Sequence, residues 1–416
     1  MDSEADGRAR ETAEAVARRS YGKLVALLAA RTGDLSGAED ALADAFAAAL
    51  VDWPKGAVPQ NPEAWLLTVA RRRAMDGVRR RRSREAAAAQ LRMVADELEA
   101  AAAIDTAIPD ERLRLMFACA HPAIDAAIRA PLILQTVLGF DAAAIASAFL
   151  VSPKAMGQRL VRAKTKIRQA GIPFRIPDRS ELAGRLDSVL QAIYAAFAAG
   201  WGDAAGSDAQ RRNLAEEAIW LGRLVASLLP DEPEALGLVS LMLHAEARRR
   251  ARRDADGEYV PLAEQSPLLW DAKMIDEAER LLLHASRMGR SGRFQLEAAI
   301  QSAHAARRLS GRTDWAAIER LYLALSERFD SPVLGVNLAV AAAETRGPAA
   351  GVAALERLAA DARLADYQPY WAALADFLAR TGDAAAADRA YARAIGLTAD
   401  PAVRRFLEQR RTALPR

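Results

Sequence analysis

Apolar residues recur at helical spacing along almost the whole chain. Between residues 10 and 32, Leu24 and Leu28 lie on one predicted helical face. Residues 35–51 repeat this pattern after a short break, and residues 62–82 repeat it again behind a proline, which favours the first turn of a helix. Alternating runs of β-branched residues, which are typical of strands, are scarce. The pattern therefore predicts an all-α protein.

The spacing of these helices divides the chain into four predicted segments. Residues 10–84 form a first small helical domain. Residues 85–109 are rich in alanine and glutamate, contain few large apolar side chains, and are predicted to form a linker. Residues 110–171 form a second small helical domain, and residues 180–416 continue as a long series of helices. We therefore expect two small helical domains followed by an extended helical array.

A repeat of 35 residues lies near the end of the chain. Residues 332–366 resemble residues 367–401, with Gly347 at the position of Gly382. In the second copy, small residues and Tyr391 occupy positions typical of a tetratricopeptide-type helical hairpin. We therefore predict helical hairpins here and expect Tyr391 to be a core aromatic residue between paired helices.

Composition supports this interpretation and locates the charge. Hydrophobic residues make up 52% of the 416 residues, alanine is abundant and is the best helix former, and aromatic residues contribute only 6%. Residues 1–175 contain 26 Lys and Arg against 21 Asp and Glu, whereas the remainder contains 31 against 33. Positive charge is thus concentrated in the N-terminal part, as in proteins that bind nucleic acids.

The N-terminus and the single cysteine indicate the compartment. Cys119 has no second cysteine with which to pair, which is typical of a reducing compartment. The N-terminal segment is charged and lacks the apolar core of a signal peptide. No uninterrupted apolar run reaches the ~18 residues of a membrane helix. We therefore expect a cytoplasmic protein without membrane contact.

The third predicted helix ends in a block of arginines. Eight arginines lie between Arg71 and Arg84, against one acidic residue, Asp76. A charged run is often only a solvated helix face, but a block of one sign is stabilised by phosphates, where each contact releases counterions. The preceding loop contains Trp53 and Asn61, so a stacking surface and positive charge lie together, as the binding of single strands requires. This segment predicts a nucleic-acid-binding helix.

Residues 139–168 have the pattern of a helix-turn-helix. Asp141 is placed to start a short helix, and a turn follows at Leu150. Ser152 is a predicted cap of the next helix, and Pro153 occupies its first position. This second helix contains lysines and arginines but no acidic residue. An amphipathic hairpin without DNA contact is the alternative, but cap, turn and charge together favour the helix-turn-helix.

No constellation of residues indicates catalysis. The sequence has no phosphate loop, nucleophile elbow or zinc motif, and none of the four histidines has metal-ligand spacing with another. We expect the histidines at helix surfaces or caps, and Cys119 as a small buried hydrophobic residue. The segment DADGE lacks the carboxylates of a calcium loop and is predicted to be a turn. The chain is therefore not expected to be an enzyme or to bind a cofactor or a metal ion.

These segments resemble extracytoplasmic-function sigma factors of the sigma-70 family. DLSGAEDALADAF resembles the family's helix that binds the polymerase clamp helices, and NPEAWLLTVARRRAMDGVRR resembles the helix that follows the loop reading the promoter −10 element. GFDAAAIASAFLVSPKAMGQRLVRAKTKIR resembles the helix-turn-helix that reads the −35 element. Residues 180–416 are similar to the tetratricopeptide-like extension of one subgroup. The resemblance implies a sigma factor that binds core RNA polymerase and promoter DNA, with a further protein partner for its regulatory extension.

The resemblance assigns three groups of residues by their positions in this sequence. The group expected to bind core polymerase is Asp40, Asp44 and Phe46. The group expected at the −10 region is Trp53, Asn61, Trp65, Arg71, Arg72, Arg79 and Arg80. The group expected at the −35 region is Ser152, Lys154, Gln158, Arg159, Arg162 and Lys164. Asp40 and Asp44 are four residues apart, so they share one helix face.

Two other classes of function are compatible with parts of this pattern. A repeat scaffold could use its basic helices to bind an acidic partner other than a promoter. A one-component repressor would need only the helix-turn-helix and would leave residues 34–82 without a role. Binding to core polymerase distinguishes the sigma-factor hypothesis, because neither alternative requires it.

Overall fold

The structure is a computed structural model that describes residues 2–32, 35–56, 58–82, 110–169, 177, 179–202 and 209–415. Within these ranges the chain forms α-helices and short 3-10 turns, and an isolated bridge between Arg253 and Tyr259 belongs to no sheet. The prediction of an all-α protein is therefore confirmed. The predicted linker at 85–109 lies outside the described residues.

Two units make up the chain, residues 1–195 and residues 196–416. The helices that begin in the first unit are α1 (Asp2–Thr32), α2 (Leu35–Gly56), α3 (Pro62–Arg82), α4 (Glu111–Cys119), α5 (Ala126–Thr136), α6 (Ala142–Ala148), α7 (Pro153–Gln169) and α8 (Arg179–Gly202). The division between the units lies within α8. The four segments expected from the sequence are a finer subdivision and stay a prediction.

Helices α1, α2 and α3 pack around a core of small and aliphatic side chains. Leu24 and Leu28, predicted to share the inner face of α1, are 2% and 1% exposed. Helix α2 continues to Gly56 instead of ending at residue 51 as predicted. The burial of Trp53 explains this extension, because its indole ring anchors the last turn of the helix in the core.

Helices α4 to α7 begin at side-chain caps that the local sequence supplies. The carboxylates of Asp110, Asp125 and Asp141 accept hydrogen bonds from backbone N–H groups at the starts of α4, α5 and α6. The Oγ of Ser152 accepts a hydrogen bond from the N–H of Ala155, 3.3 Å away, at the start of α7. The predicted caps at Asp141 and Ser152 are therefore confirmed, and they define where both helices of the helix-turn-helix begin.

The turn between α6 and α7 contains a residue in the left-handed conformation. Leu150 has a φ of 52°, and it is the one non-glycine residue with positive φ in the described part of the chain. The N–H of Val151 then donates to the carbonyl of Ala146 at 3.0 Å, which closes the end of α6. Leucine is disfavoured in this conformation, so the packing of the two helices must hold the turn.

Close packing joins the three-helix bundle to the helix-turn-helix block. A Cβ on Gly22 of α1 would lie 1.6 Å from the carbonyl oxygen of Val137, so only glycine permits this approach. Helix α1 also contacts α4. Cys119 at the end of α4 is fully buried, as predicted, and burial raises the pKa of its thiol. The two halves of the first unit therefore meet along α1.

The second unit is built largely from helical hairpins. Its helices are α9 (Ala209–Leu228), α10 (Pro233–Glu246), α11 (Ala272–Ser286), α12 (Arg293–Ala305), α13 (Arg307–Ser310), α14 (Trp315–Ser326), α15 (Pro332–Arg346), α16 (Pro348–Glu356), α17 (Gln368–Thr381), α18 (Ala384–Leu397) and α19 (Pro401–Thr412). Helices α15 to α18 form two hairpins at the predicted 35-residue repeat, with Gly347 and Gly382 between the paired helices and both at positive φ, 96° and 90°. Tyr391 is 3% exposed, as expected for a core aromatic residue.

The segment between α10 and α11 extends to the last helix of the unit. The Oδ1 of Asp254 accepts hydrogen bonds from two following backbone N–H groups, which confirms the turn predicted here. Tyr259 packs edge-on against Phe406 of α19 with ring centroids 5.4 Å apart. Arg253 pairs with Asp400 at the start of that helix. The segment therefore ties the early and late helices of the second unit together.

His244 departs from the prediction that the histidines lie at helix surfaces or caps. It is 1% exposed, because α10 is buried on almost every side and packs against both α11 and α12. Burial lowers the pKa of His244 to about 3, with the charges of Arg248 and Arg308 adding to the effect. The prediction was wrong at this position, since a helix that is buried all round has no solvated face for a histidine.

Candidate polymerase-binding and nucleic-acid-binding surfaces

Helix α2 presents an acidic face to solvent. Asp40 and Asp44 are both exposed, whereas Ala45 is fully buried. Phe46 is half-buried and stacks on Tyr21 of α1, with ring centroids 6.5 Å apart. Burial and neighbouring carboxylates raise the pKa of Tyr21 to about 12, so its phenol stays neutral beside them. The residues predicted to bind polymerase are thus two exposed carboxylates and a partly covered ring, which are complementary to a basic surface.

Two tryptophans and an asparagine shape the loop between α2 and α3. Trp53 and Trp65 pack edge to face with ring centroids 5.5 Å apart. Trp53 is 2% exposed, and its Nε1 has no hydrogen-bond partner among the described residues, whereas Trp65 is half-buried. The side chain of Asn61 accepts a hydrogen bond from the N–H of Ala64 at 3.0 Å and so caps α3. The three predicted residues lie together, but Trp53 supports the loop from the core.

The arginines of α3 follow directly on this loop. Leu66 is fully buried and fixes the orientation of the helix, while Arg71 and Arg72 are exposed. The helix continues to residue 82, and the side chains of Arg79 and Arg80 lie outside the described residues. The described part of α3 therefore presents positive charge next to the tryptophan loop, as the sequence predicts.

Helix α7 buries one face and exposes a basic one. Met156 and Leu160 are each 1% exposed and pack into the helix-turn-helix core. The predicted −35 residues that are exposed are Ser152, Lys154, Gln158, Arg159 and Arg162. Side chains that donate hydrogen bonds, carried on a helix with a fixed axis, are what the base edges and phosphates of duplex DNA require.

A groove of about 470 Å³ lies between α5 and α7. Its lining combines the apolar side chains of Ile124, Ile128 and Ile167 with the basic side chains of Arg159 and Arg162. The aliphatic parts of arginine side chains can pack along such apolar side chains while their guanidinium groups remain in water. Both arginines therefore border this groove on the surface of the helix-turn-helix.

Lys164 differs from the other residues predicted at the −35 region. Its Nζ donates to both carboxylate oxygens of Glu39 on α2, each 2.9 Å away. The two side chains are 21% and 16% exposed. The amine is thus directed at the three-helix bundle and not at solvent. Sequence reasoning did not place Glu39 in any site, because the pair spans 125 residues and leaves no local signal.

Residues 16–84 match the family described as sigma-70 region 2. The match runs from within α1 to two residues past the end of α3, so it contains the acidic face of α2 and the arginines of α3. Residues 185–286 match a family of unknown function (DUF6596). The match at residues 16–84 supports a sigma factor of the sigma-70 family. Region 2 implies core RNA polymerase and promoter DNA as partners, and it points to a non-enzymatic role in transcription initiation.

The chain is 40% identical to the uncharacterized protein R00370 of Rhizobium meliloti (strain 1021) over 365 residues, which cover 86% of each chain. It belongs to the same family as that protein. No solved structure matches the chain. Within the described ranges, no helix is both long enough and apolar enough to cross a membrane.

Proposed function

We propose that this chain is an extracytoplasmic-function sigma factor that directs core RNA polymerase to specific promoters and initiates transcription there. The observation that carries the proposal is the exposed acidic face of α2 beside the arginines of α3, within the segment that matches sigma-70 region 2. A sigma factor needs both surfaces, because it holds polymerase and promoter DNA at the same time. Packing does not account for either surface, since both are exposed.

In this proposal the three-helix bundle carries two of the binding roles. Asp40 and Asp44, with Phe46 beside them, bind a basic helical surface of core polymerase. The −10 region binds at the loop and at α3, where Trp65 offers stacking surface and the arginines bind phosphates. Trp53 contributes by supporting Trp65, since its own ring is buried.

The helix-turn-helix carries the remaining DNA role. Helix α7 enters the major groove at the −35 element, with its first turns towards base edges. Lys154, Gln158 and Arg159 are the proposed base-reading residues, and Arg162, further along the helix, holds phosphate. Lys164 joins these contacts only when its ion pair with Glu39 opens, because that pair directs the amine at α2 in the structure.

The second unit is proposed to regulate the first in cis as a tetratricopeptide-like extension. Residues 176–416 carry 31 Lys and Arg against 33 Asp and Glu, so the net attraction to DNA is weak. Serial helical hairpins present extended surfaces that suit protein partners. We therefore propose that this unit acts by contacting the polymerase or a further protein, in the cytoplasm where transcription takes place.

Binding to core RNA polymerase tests the proposed function. Fluorescently labelled full-length chain is titrated with purified core enzyme, and a saturable complex is expected that an unlabelled sigma factor displaces. Displacement matters, because it shows that the chain occupies the sigma site. A scaffold or a one-component repressor would bind promoter or non-promoter DNA without forming this complex, and that result would overturn the proposal.

A further inference from the structure

Two facing helices of the second unit bring together basic side chains, of which two are buried and three are partly exposed. His244 lies near the end of α10 and Arg248 lies four residues later, and they are 1% and 7% exposed. On the facing side, Gln301 and His304 lie on α12, and Arg307 follows three residues later. Helices α10 and α12 pack directly against each other. The basic cluster, as we name it, consists of His244, Arg248, Arg252, His304 and Arg307.

Arg248 is covered by the protein and has no carboxylate partner in the part of the chain that the structure describes. Among the described residues its one hydrogen bond runs from Nη2 to the side-chain carbonyl of Gln301, which is a neutral group. Three arginines close to it in the sequence or the fold do have carboxylate partners: Arg249 with Glu246, Arg253 with Asp400, and Arg308 with Asp276. A covered cation without a counter-charge costs free energy unless an anion neutralises it.

The other two arginines of the basic cluster are held by neutral groups. Arg252 donates to the carbonyl of Trp201 and lies over that ring, 3.8 Å from its centroid. Arg307 donates to two backbone carbonyls and lies 5.1 Å from the centre of the Trp270 ring. These contacts fix the guanidinium groups but leave their charges in place. Burial lowers the pKa of Arg248 to about 10, and the positive charges of Arg252 and Arg307 add to this effect.

The two histidines of the basic cluster are neutral at physiological pH, whereas Arg248 remains protonated. Burial lowers the pKa of His244 to about 3 and that of His304 to about 4, and Arg248 contributes to both shifts. Both ring nitrogens of His244 are buried without a hydrogen bond, and Nε2 lies 3.6 Å from a carboxylate oxygen of Glu279. A neutral imidazole keeps one N–H group, so His244 has a donor that no acceptor among the described residues uses.

We propose that the basic cluster is a binding site for a small inorganic oxyanion of the phosphate or sulfate class. The planar guanidinium of Arg248 matches two oxygens of such an ion, and Arg252 and Arg307 supply the surrounding positive potential. His244 provides an additional neutral donor. Because Arg248 is 7% exposed, a small ion suits this site better than the backbone of a nucleic acid or the acidic side chain of a folded partner.

A bound oxyanion would stabilise the beginning of the helical array. The basic cluster draws on the end of α10, the facing side of α12 and the start of α13, so one ligand would hold three elements together. A ligand that binds only the folded state raises the free energy of unfolding with its concentration. The second unit would therefore be more stable in phosphate than in chloride at the same ionic strength.

Phosphate binding by full-length chains tests this site. Equilibrium dialysis with radiolabelled inorganic phosphate, at pH 7.5 and constant ionic strength, is expected to show one class of saturable site. Arg248→Gln should weaken phosphate binding by about tenfold or more, because a charged hydrogen-bond partner is lost. Arg250→Gln is the matched control, since Arg250 lies two residues away and is exposed. Sulfate should compete with the label, and chloride should not.

Further variants separate this site from the DNA-binding surface and from a loss of folding. Arg159→Ala with Arg162→Ala should leave phosphate binding unchanged, and a loss of binding in that variant would show that α7 holds the ion. If Arg248→Gln fails to fold, Arg248→Lys keeps the charge and should bind phosphate more weakly than the wild type. The proposal is overturned if the wild type binds no phosphate saturably, or if changes at Arg248 and Arg250 have equal effects.

Discussion

Lys164 of α7 and Glu39 of α2 form an ion pair in which the Nζ lies 2.9 Å from both carboxylate oxygens. This pair joins the helix proposed to read the −35 element to the helix proposed to bind polymerase. Both side chains are largely covered, at 21% and 16% exposure, so solvent screens the pair less than it screens a surface ion pair. The two halves of the first unit are therefore coupled through residues 125 positions apart.

A double-mutant cycle measures this coupling. Lys164→Ala and Glu39→Ala are expected to interact by about 1 kcal/mol in the free energy of unfolding, because each change removes the same contact. Lys166→Ala serves as the control, since Lys166 is exposed on the same helix. Chemical denaturation of the four chains gives the result, and additive effects of the Lys164 and Glu39 changes would contradict the pairing.

The two proposed DNA-binding surfaces should differ in how strongly their affinity depends on the DNA sequence. Arg159→Ala is expected to weaken binding to a preferred −35 duplex by about 1–3 kcal/mol, and to weaken binding to a scrambled duplex less. Arg71→Ala with Arg72→Ala should lower affinity for both duplexes alike and flatten the salt dependence, as loss of phosphate contacts does. Fluorescence anisotropy over a range of salt concentrations checks this. Equal losses on both duplexes for Arg159→Ala would mean that α7 does not read bases.

Local signals in the sequence sufficed for the start of the helix-turn-helix. The caps at Asp141 and Ser152 are confirmed because a cap is decided within three or four residues. The end of α2 was placed too early, since the burial of Trp53 depends on packing against Trp65, which belongs to the next helix. Where tertiary packing overrides a local breaker, the pattern of residues alone gives the wrong boundary.

Acid should destabilise the second unit through His244. Its pKa is about 3 in the folded chain, against 6.5 for an unperturbed histidine, so the unfolded chain binds more protons between these values. The stability that depends on a neutral His244 is fully present above pH 6.5 and is lost as the pH falls below that value. Between pH 7 and pH 5 this histidine accounts for about 2 kcal/mol of lost stability. His244→Gln should remove that part of the pH dependence.

This experiment compares how steeply the free energy of unfolding changes with pH in each variant, and not the absolute stabilities. His284→Gln is the control, because His284 is exposed on α11, and it should keep the pH dependence of the wild type. Arg248 and Arg308 contribute to the depression of the His244 pKa, and a Glu279 oxygen lies 3.6 Å from its Nε2, so all three must stay unchanged in both variants. Identical slopes for the two variants would show that His244 does not control acid sensitivity.

The start of α8 belongs to the core of the first unit, which determines where the extension can be removed. Leu182 and Leu186 are 0% and 5% exposed, and Arg185 donates to the carbonyl of Phe117 at 3.2 Å. A chain that ends after Pro177 loses all of these contacts, whereas a chain that ends after Gly202 keeps them. Burial of the two leucines alone makes the longer fragment more stable by about 4 kcal/mol.

Comparing the two truncated chains separates folding from regulation. The fragment that ends after Gly202 is expected to stay helical by circular dichroism and to unfold at higher denaturant than the fragment that ends after Pro177. Its promoter-dependent transcription should differ several-fold from that of the full chain if the extension regulates in cis. Full-length activity from this fragment, across several promoters and salt concentrations, would show the extension to be dispensable.

The basic cluster and the Glu39–Lys164 pair were beyond prediction from the sequence for the same reason. Arg248 and Gln301 are brought together by the packing of α10 on α12, and no repeat or motif connects their positions. His244 was expected at a helix surface because a lone histidine usually lies there. Only the burial of α10 on almost every side reverses that expectation. Contacts between distant segments therefore cannot be predicted from local periodicity.

Transcription in a purified system tests the sigma-factor assignment most directly. Core RNA polymerase with the full-length chain is expected to give transcripts with defined starts from a subset of genomic fragments. Asp40→Arg with Asp44→Arg should reduce these transcripts about tenfold or more, because the acidic face of α2 then repels its basic partner. Asp52→Arg, an exposed change on the same helix, should have little effect. Absence of promoter-specific transcripts with the wild-type chain, or full activity of the double variant, would contradict the account.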